Sequence, residues 1–133
     1  MRRAVLDPGV LVSALISPAG APAELLRQVR VGALELVVSP LLLAELEAVL
    51  GREKFRRYFD LETARDYLAV LRQEAIAAPD PAGPPPLRSA DPGDDYLIAL
   101  ALAESACLVS GDAHLLALAA AAPIFSPADF LAA

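Results

Sequence analysis

Short apolar runs that alternate with helical patterns constrain the fold of this chain more than any other feature of its sequence. The strand-like runs are "RAVLD", "LELVVS", "CLVS" and "PIFS", and helix-like segments stand between them. A strand that is followed by a helix and then by another strand builds a parallel sheet with helices on both faces. The sequence therefore predicts an α/β fold around a parallel sheet.

The helical segments are marked by apolar periodicity and by residues that begin or end helices. Ser39 and Pro40 are typical of an N-cap and a first helical position, and Gly32 and Gly51 are typical of helix ends. The predicted helices are "PAELLRQVRVG", "PLLLAELEAVL", "REKFRRYF", "ETARDYLAVLRQEAIA", "DDYLIALALAES", "AHLLALAAA" and "PADFLA". Because "DDYLIALALAES" is apolar almost all round, we expect that helix to be buried.

One stretch interrupts this alternation. Residues 78–95, "APDPAGPPPLRSADPGDD", hold six of the 12 prolines and cannot form a helix or a central strand. Only about forty residues follow, which is too few for a second core. We therefore expect a single domain over residues 1–133, with a long surface loop inside it.

Charge and cysteine content restrict the classes of function. A net charge of −6 argues against a protein that coats nucleic acid through bulk positive charge. The single cysteine, Cys107, excludes an internal disulfide, fits a reducing cytoplasm, and is expected to be buried in its strand. No apolar run approaches the ~20 residues of a membrane span, so a cytoplasmic location without membrane contact is expected.

Acidic residues stand where predicted strands end. Asp7 follows the first strand, Asp112 follows "LVSG", and Asp94 and Asp95 open the buried helix. In doubly wound sheets, functional groups gather at the carboxyl ends of the strands, and parallel strands bring those ends to one edge. These carboxylates are therefore expected to converge.

A fourth acidic position follows from helical periodicity. At about 100° per residue, Glu45 falls inside the apolar arc of its helix, between Leu41 and Val49, whereas Glu47 falls outside it. A buried carboxylate without compensation is unfavourable by several kcal/mol. Glu45 is thus predicted to point inward and Glu47 toward water.

These acids have no basic neighbours in sequence that could pair with them. Carboxylates that converge without cations repel one another, and a hard divalent cation would offset that repulsion. Mg²⁺ and Mn²⁺ prefer carboxylate oxygens and water, whereas zinc would find only Cys107 and His114 as soft or imidazole ligands. The sequence therefore predicts a Mg²⁺ or Mn²⁺ site.

Four stretches that contain these acids resemble the motifs of PIN-domain ribonucleases found as toxins of bacterial toxin–antitoxin pairs. They are "VLDPGVLVSAL", "VVSPLLLAELEAVL", "DPGDDYLIALALA" and "LVSGDAHLL". The resemblance extends through "SPADFL" and implies a three-layer α/β/α fold. It also implies Mg²⁺- or Mn²⁺-dependent hydrolysis of single-stranded RNA and an antitoxin partner, with a second copy of the chain as a further candidate partner. It assigns catalytic metal-site roles to Asp7, Glu45, Asp95 and Asp112, with Asp94 as an auxiliary metal ligand.

The sequence departs from the family pattern directly after Asp7. The family usually has a hydroxyl residue and then asparagine there, and this chain has Pro8 and Gly9. That departure motivates an alternative, a PIN-like partner-binding module without nuclease activity. A receiver-type phosphoacceptor domain is a weaker alternative, because it needs a lysine at a late strand end and Lys54 is the only lysine.

One basic stretch is not explained by the acidic cluster. "REKFRRYF" places Arg52, Lys54, Arg56 and Arg57 among aromatic residues. Such a stretch is able to contact RNA phosphates. A solvated helix face is the simpler interpretation of the pattern.

Overall fold

The protein contains one five-stranded sheet in which every neighbouring pair is parallel. The computed structural model describes residues 2–83 and 87–133. The strands follow the order β3-β2-β1-β4-β5. Their bounds are Arg2–Leu6 (β1), Leu34–Val38 (β2), Ile76–Ala77 (β3), Cys107–Val109 (β4) and Ile124–Phe125 (β5).

Seven α-helices connect and flank these strands in the described part of the chain. They are Pro8–Ile16 (α1), Ala21–Arg30 (α2), Pro40–Leu50 (α3), Leu61–Glu74 (α4), Asp95–Ala103 (α5), Ala113–Leu116 (α6) and Pro127–Ala132 (α7). Helix α1 contacts α2 and α3, α3 contacts α4, and α5 packs on β1 and β4. Since parallel crossovers are right-handed, the return from β3 to β4 places α5 on the opposite face from α1–α4. The predicted three-layer α/β/α fold is confirmed.

The strand order reverses between β1 and β4. From β1 the chain proceeds outward to β2 and β3, and it then returns to add β4 and β5 on the other side of β1. The residues that follow β1 and β4 therefore lie at a topological switch point, where α/β sheets place their ligand sites. The backbone N–H of Asp7 donates to the carbonyl of Val109 at 3.1 Å and joins the two strand exits.

Several elements differ from the sequence-based expectations. Helix α4 ends at Glu74, and Ile76–Ala77 then pairs with Val37 and Val38 as a fifth strand, where a continuous helix was predicted. The predicted helix "REKFRRYF" is instead a 3₁₀ turn at Glu53–Phe55 followed by further turns. Helix α1 was not assigned from sequence, and α6 ends at Leu116 rather than continuing through the alanines.

Within the predicted loop at 78–95, Pro92–Asp94 forms a 3₁₀ turn and Asp95 already begins α5. The other described residues of the loop are irregular, and residues 84–86 lie outside the described residues. As expected, α5 is buried, through Leu97, Ile98 and Leu100. Cys107 is half-buried, contrary to the prediction, because β4 begins there and its side chain lies beside a surface cleft.

Taken singly, none of the described helices has the length and apolar composition to cross a bilayer. One bent pair, Pro8–Ile16 with Ala21–Arg30 at 95°, meets both criteria by length and composition.

Candidate active site

An open cavity of about 460 Å³ lies at the carboxyl ends of β1 and β4. Four carboxylates line it: those of Asp7, Glu45, Asp94 and Asp112. Apolar and small residues complete the wall, among them Pro8, Gly9, Val10, Val49 and Gly111. Three of these acids are N-cap residues of helices, and the fourth, Glu45, lies in the interior of α3.

Asp7 is buried and hydrogen-bonded at the exit of β1. It is only 7% exposed, and it is the N-cap of α1, with Oδ1 accepting from the Val10 N–H at 2.8 Å. Pro8 occupies the first turn of α1, where a missing N–H is tolerated. A Cβ atom on Gly9 would lie 3.2 Å from the same Oδ1, so the glycine leaves room for the carboxylate.

Asp112 reaches the cavity from the exit of β4. Its carboxylate caps α6 by accepting from the His114 backbone N–H at 2.7 Å. The buried Ser110 hydroxyl accepts from the Asp112 N–H at 2.9 Å and also hydrogen-bonds the Asp7 side chain. Ser110 therefore lies between the two acids and contacts both.

Glu45 lies in the middle of α3 and is half-buried at the cavity wall. The hydroxyl of Tyr96 on α5 donates to its Oε2. Glu47 is exposed and lies 4.0 Å from Arg72, as the helical periodicity predicted. Leu41 is 46% exposed, so the apolar face of α3 is narrower than expected and centres on Leu42, Leu46 and Leu50.

Asp94 and Asp95 are consecutive but face different surroundings. Asp94 lines the cavity, whereas Asp95 does not. The Asp95 carboxylate is buried and accepts from Ser89 N at 2.8 Å and from Ser89 Oγ at 3.2 Å. The structure therefore brings four of the five predicted acids together and directs Asp95 toward the loop that precedes α5.

The sequence did not place two further residues beside the acidic cluster. Tyr96 directly follows the paired aspartates, and only its tertiary contact with Glu45 reveals its position. Arg52 lines the cavity although the sequence suggested no cation near the acids. It stands seven residues after Glu45, just beyond the end of α3, and that spacing was the available signal.

Burial and mutual repulsion act on the ionisation of these groups. Burial is the main cause that raises the pKa of Asp7, and hydrogen bonds from Ser110 and Val10 oppose it. Asp94 is affected more strongly: burial raises its pKa to about 6, with further contributions from Asp91, Asp112, Glu45 and Asp7. Burial and the bond to Glu45 raise the pKa of the Tyr96 hydroxyl, which stays a neutral donor at physiological pH.

Asp94 gives a testable pH dependence of stability in the metal-free protein. Its pKa rises from an ordinary 3.8 to about 6 on folding, so the folded state binds the proton more tightly. The stability that Asp94 contributes is thus fully present below about pH 4 and is lost as pH rises through about 6. We expect the melting temperature of the wild type, relative to Asp94→Asn, to fall by a few degrees between pH 4 and pH 7 in EDTA. A difference that stays constant across this range would contradict the assigned pKa.

The donor chemistry of the cavity fits a hard divalent cation. Four carboxylates provide oxygen ligands, and the pKa of Asp94 is raised first by burial and further by the acids around it. Among the residues that the structure places, no three acidic, histidine or cysteine side chains are already grouped closely enough to share one ion. The carboxylates would therefore have to draw together around a bound cation.

Comparison with known proteins agrees with this architecture. The family model described as PIN domain matches residues 3–114. The crystal structure of VapBC2 from Rickettsia felis, bound to a DNA fragment from their promoter, is 15% identical, with a TM-score of 0.62 over 93% of this chain and 96% of that chain. PAE2754 from Pyrobaculum aerophilum is 19% identical, with a TM-score of 0.64 over 98% of this chain and 88% of that chain. No curated protein sequence matches significantly.

At these identities the two solved structures support the fold alone. The family model extends over most of the chain, and the matched range contains every carboxylate of the cavity. The match also removes the receiver-type alternative. The chain belongs to the PIN domain family.

Proposed function

We propose that this PIN domain is a Mg²⁺- or Mn²⁺-dependent endoribonuclease that hydrolyses single-stranded RNA and acts as the toxin of a toxin–antitoxin pair. The observation that carries the proposal is the cavity at the switch point, lined by Asp7, Glu45, Asp94 and Asp112. Carboxylates that share a cavity repel one another, and a bound cation would relieve that repulsion. An antitoxin partner and a cytoplasmic location belong to the same proposal and rest on the family resemblance.

Within this proposal the residues divide into ligands and positioning residues. Asp7, Glu45, Asp94 and Asp112 would hold the cation, and the cation when bound would activate water and neutralise charge on the phosphodiester. Tyr96 orients Glu45, and Ser110 orients Asp7 and Asp112. Asp95 is assigned a positioning role, because its bonds to Ser89 fix the loop that leads into Asp94.

A second candidate function is a partner-binding module without nuclease activity. The observation that favours it is Gly9, which offers no side-chain donor where the family usually has an asparagine amide. In this chain the backbone N–H groups of Gly9 and Val10 stabilise the Asp7 carboxylate instead. These two hydrogen bonds act on Asp7 alone, and the four carboxylates of the cavity remain in place.

A cleavage assay separates the two candidates. Purified protein free of any partner is incubated with mixed single-stranded RNAs in Mg²⁺, in Mn²⁺ and in EDTA, beside an identically purified Asp7→Asn variant. We expect cleavage by the wild type in either metal and none in EDTA. Cleavage that persists in EDTA in metal-free protein, or equal cleavage by the Asp7→Asn preparation, would refute metal-dependent hydrolysis at this site. Intact RNA under all conditions would favour the partner-binding module.

A further inference from the structure

The segment 52–59, "REKFRRYF", directly follows α3 and begins at the cavity wall. Arg52 lines the cavity, and the chain then forms turns rather than the helix that the sequence pattern suggested. A solvated helix face therefore does not explain the basic residues of this segment. The positions of these basic residues depend on the contacts that hold the turns in place and on which side chains the turns expose to solvent.

Part of the segment anchors it to the domain. The rings of Phe55 and Phe59 stack at 6.0 Å between centroids, and Phe59 is buried. The guanidinium of Arg56 lies 5.2 Å from the Phe59 ring centroid and donates to the Leu50 carbonyl at the end of α3. These contacts fix the turns against the domain, so the outward side chains are carried on a defined backbone.

The remaining side chains form an exposed surface of cations and one aromatic ring. Arg52, Lys54 and Arg57 are exposed, Tyr58 is 53% exposed, and the Arg57 guanidinium lies 5.2 Å from the Tyr58 ring centroid. Glu53 is the only acid within the segment. We call Arg52, Lys54, Arg57 and Tyr58 the basic-aromatic surface.

These cations differ from four arginines elsewhere in the domain. Arg3, Arg27, Arg30 and Arg72 each pair with a glutamate. Within residues 2–83 and 87–133, no acidic side chain forms an ion pair with a cation of the basic-aromatic surface. In a chain with net charge −6, three cations without an acidic partner in the described part of the chain thus lie in one short segment that begins at the wall of the acidic cavity.

We propose that the basic-aromatic surface binds single-stranded RNA and leads the strand into the cavity. Arg52 contacts a phosphate at the cavity wall, Lys54 and Arg57 contact phosphates farther along, and Tyr58 stacks on a base. Cations that follow the backbone together with an aromatic platform are the elements of single-strand recognition. An acidic protein surface would pair with the cations but would leave the exposed ring of Tyr58 without a stacking partner. The inference rests on the proposed function, because it assumes that RNA is the molecule that enters the cavity.

Binding rather than cleavage tests this inference. Fluorescence anisotropy measures the affinity for a labelled single-stranded RNA of mixed sequence in EDTA, with RNA integrity checked on a gel. Lys54→Gln/Arg57→Gln is compared with Arg65→Gln/Arg72→Gln, which removes the same charge from α4. We expect the first variant to bind at least tenfold more weakly and to flatten the salt dependence by about 1.4 in log–log slope, or about 0.7 for each lost contact. The α4 variant should stay within about twofold of the wild type.

The aromatic ring is tested separately. Tyr58→Ala should weaken single-strand binding about tenfold, as expected for one lost base stack. Tyr58→Phe keeps the ring and should bind as the wild type does. Duplex RNA, whose bases are already stacked, should not distinguish Tyr58→Ala from the wild type.

Three outcomes would overturn the inference, and a fourth would support it while refuting the nuclease proposal. Equal losses in the two double variants would mean that only total charge matters. If a poly-glutamate peptide loses as much affinity as RNA in Lys54→Gln/Arg57→Gln, and Tyr58→Ala has no effect, the surface suits an acidic protein instead. Metal-dependent cleavage without any effect of these variants on binding would refute the inference and leave the nuclease proposal standing. The expected binding losses without any cleavage would support the inference and refute the nuclease.

Discussion

Asp7→Asn is expected to lower metal-dependent RNA cleavage about a hundredfold or more, a loss of roughly 2.7 kcal/mol of transition-state stabilisation. The asparagine oxygen still accepts from the Val10 N–H, so the cap of α1 should survive and the fold should be retained. Only the charge available to a cation is removed. Initial cleavage rates in Mn²⁺, with far-ultraviolet circular dichroism to verify folding, measure this effect.

Helix α3 provides a matched pair of variants for the same experiment. Glu45→Gln removes a charge from the cavity wall and should reduce cleavage to a similar extent. Glu47→Gln removes a charge from the exposed face, two residues away, and should leave the rate unchanged within about twofold. Equal effects of the two variants would show that α3 does not present Glu45 to the reacting RNA.

Asp94→Asn and Asp95→Asn are expected to change thermal stability in opposite directions. In EDTA, Asp94→Asn should melt a few degrees above the wild type, because it removes a carboxylate that burial and the neighbouring acids destabilise. Asp95→Asn should be less stable by about 1 kcal/mol, because Ser89 loses a charged acceptor in a buried setting.

Mn²⁺ separates the two residues further. At a hundredfold excess over Kd, a bound ion stabilises the wild type by roughly 2.7 kcal/mol, or about 10 °C for a domain of this size. Asp94→Asn should lose most of that rise, and Asp95→Asn should keep it. Thermal melts of the three proteins in EDTA and in excess Mn²⁺ test the assignment. If Asp95→Asn loses the rise and Asp94→Asn keeps it, then Asp95 is the metal ligand and Asp94 the positioning residue.

Most of the acidic cluster could be predicted because its positions follow from regular geometry. Parallel strands bring their carboxyl ends to one edge, which predicts the proximity of Asp7 and Asp112. A step of about 100° per residue separates Glu45 from Glu47 on α3. The periodicity of a strand or a helix carries that information within a short window of sequence.

The choice between Asp94 and Asp95 could not be made in this way. The 3₁₀ turn at Pro92–Asp94 sets the phase in which α5 begins, and that turn is held by Asp91, whose side chain accepts from Gly93 N–H at 3.0 Å. Ser89 then binds Asp95 through the preceding loop. These contacts are specific to the irregular segment and have no periodic signature.

Two other misassigned segments have tertiary causes. Ile76–Ala77 continues the pattern of α4, and only pairing with Val37 and Val38 makes it a strand. The segment 52–59 has helical composition, but stacking of Phe55 on Phe59 and the bond from Arg56 to Leu50 hold it in turns. Neither contact is visible from local propensity, which tertiary packing overrides.

The central claim is that the four cavity carboxylates together bind a divalent cation. Calorimetric titration of Mn²⁺ into metal-free wild type and into Asp7→Asn/Asp112→Asn tests it most directly, with Glu47→Gln as a control for loss of charge outside the cavity. We predict saturable binding to the wild type and to Glu47→Gln, and at least a hundredfold weaker binding to the double variant. Equal Mn²⁺ affinity in all three proteins, or no saturable binding to the wild type, would contradict the claim.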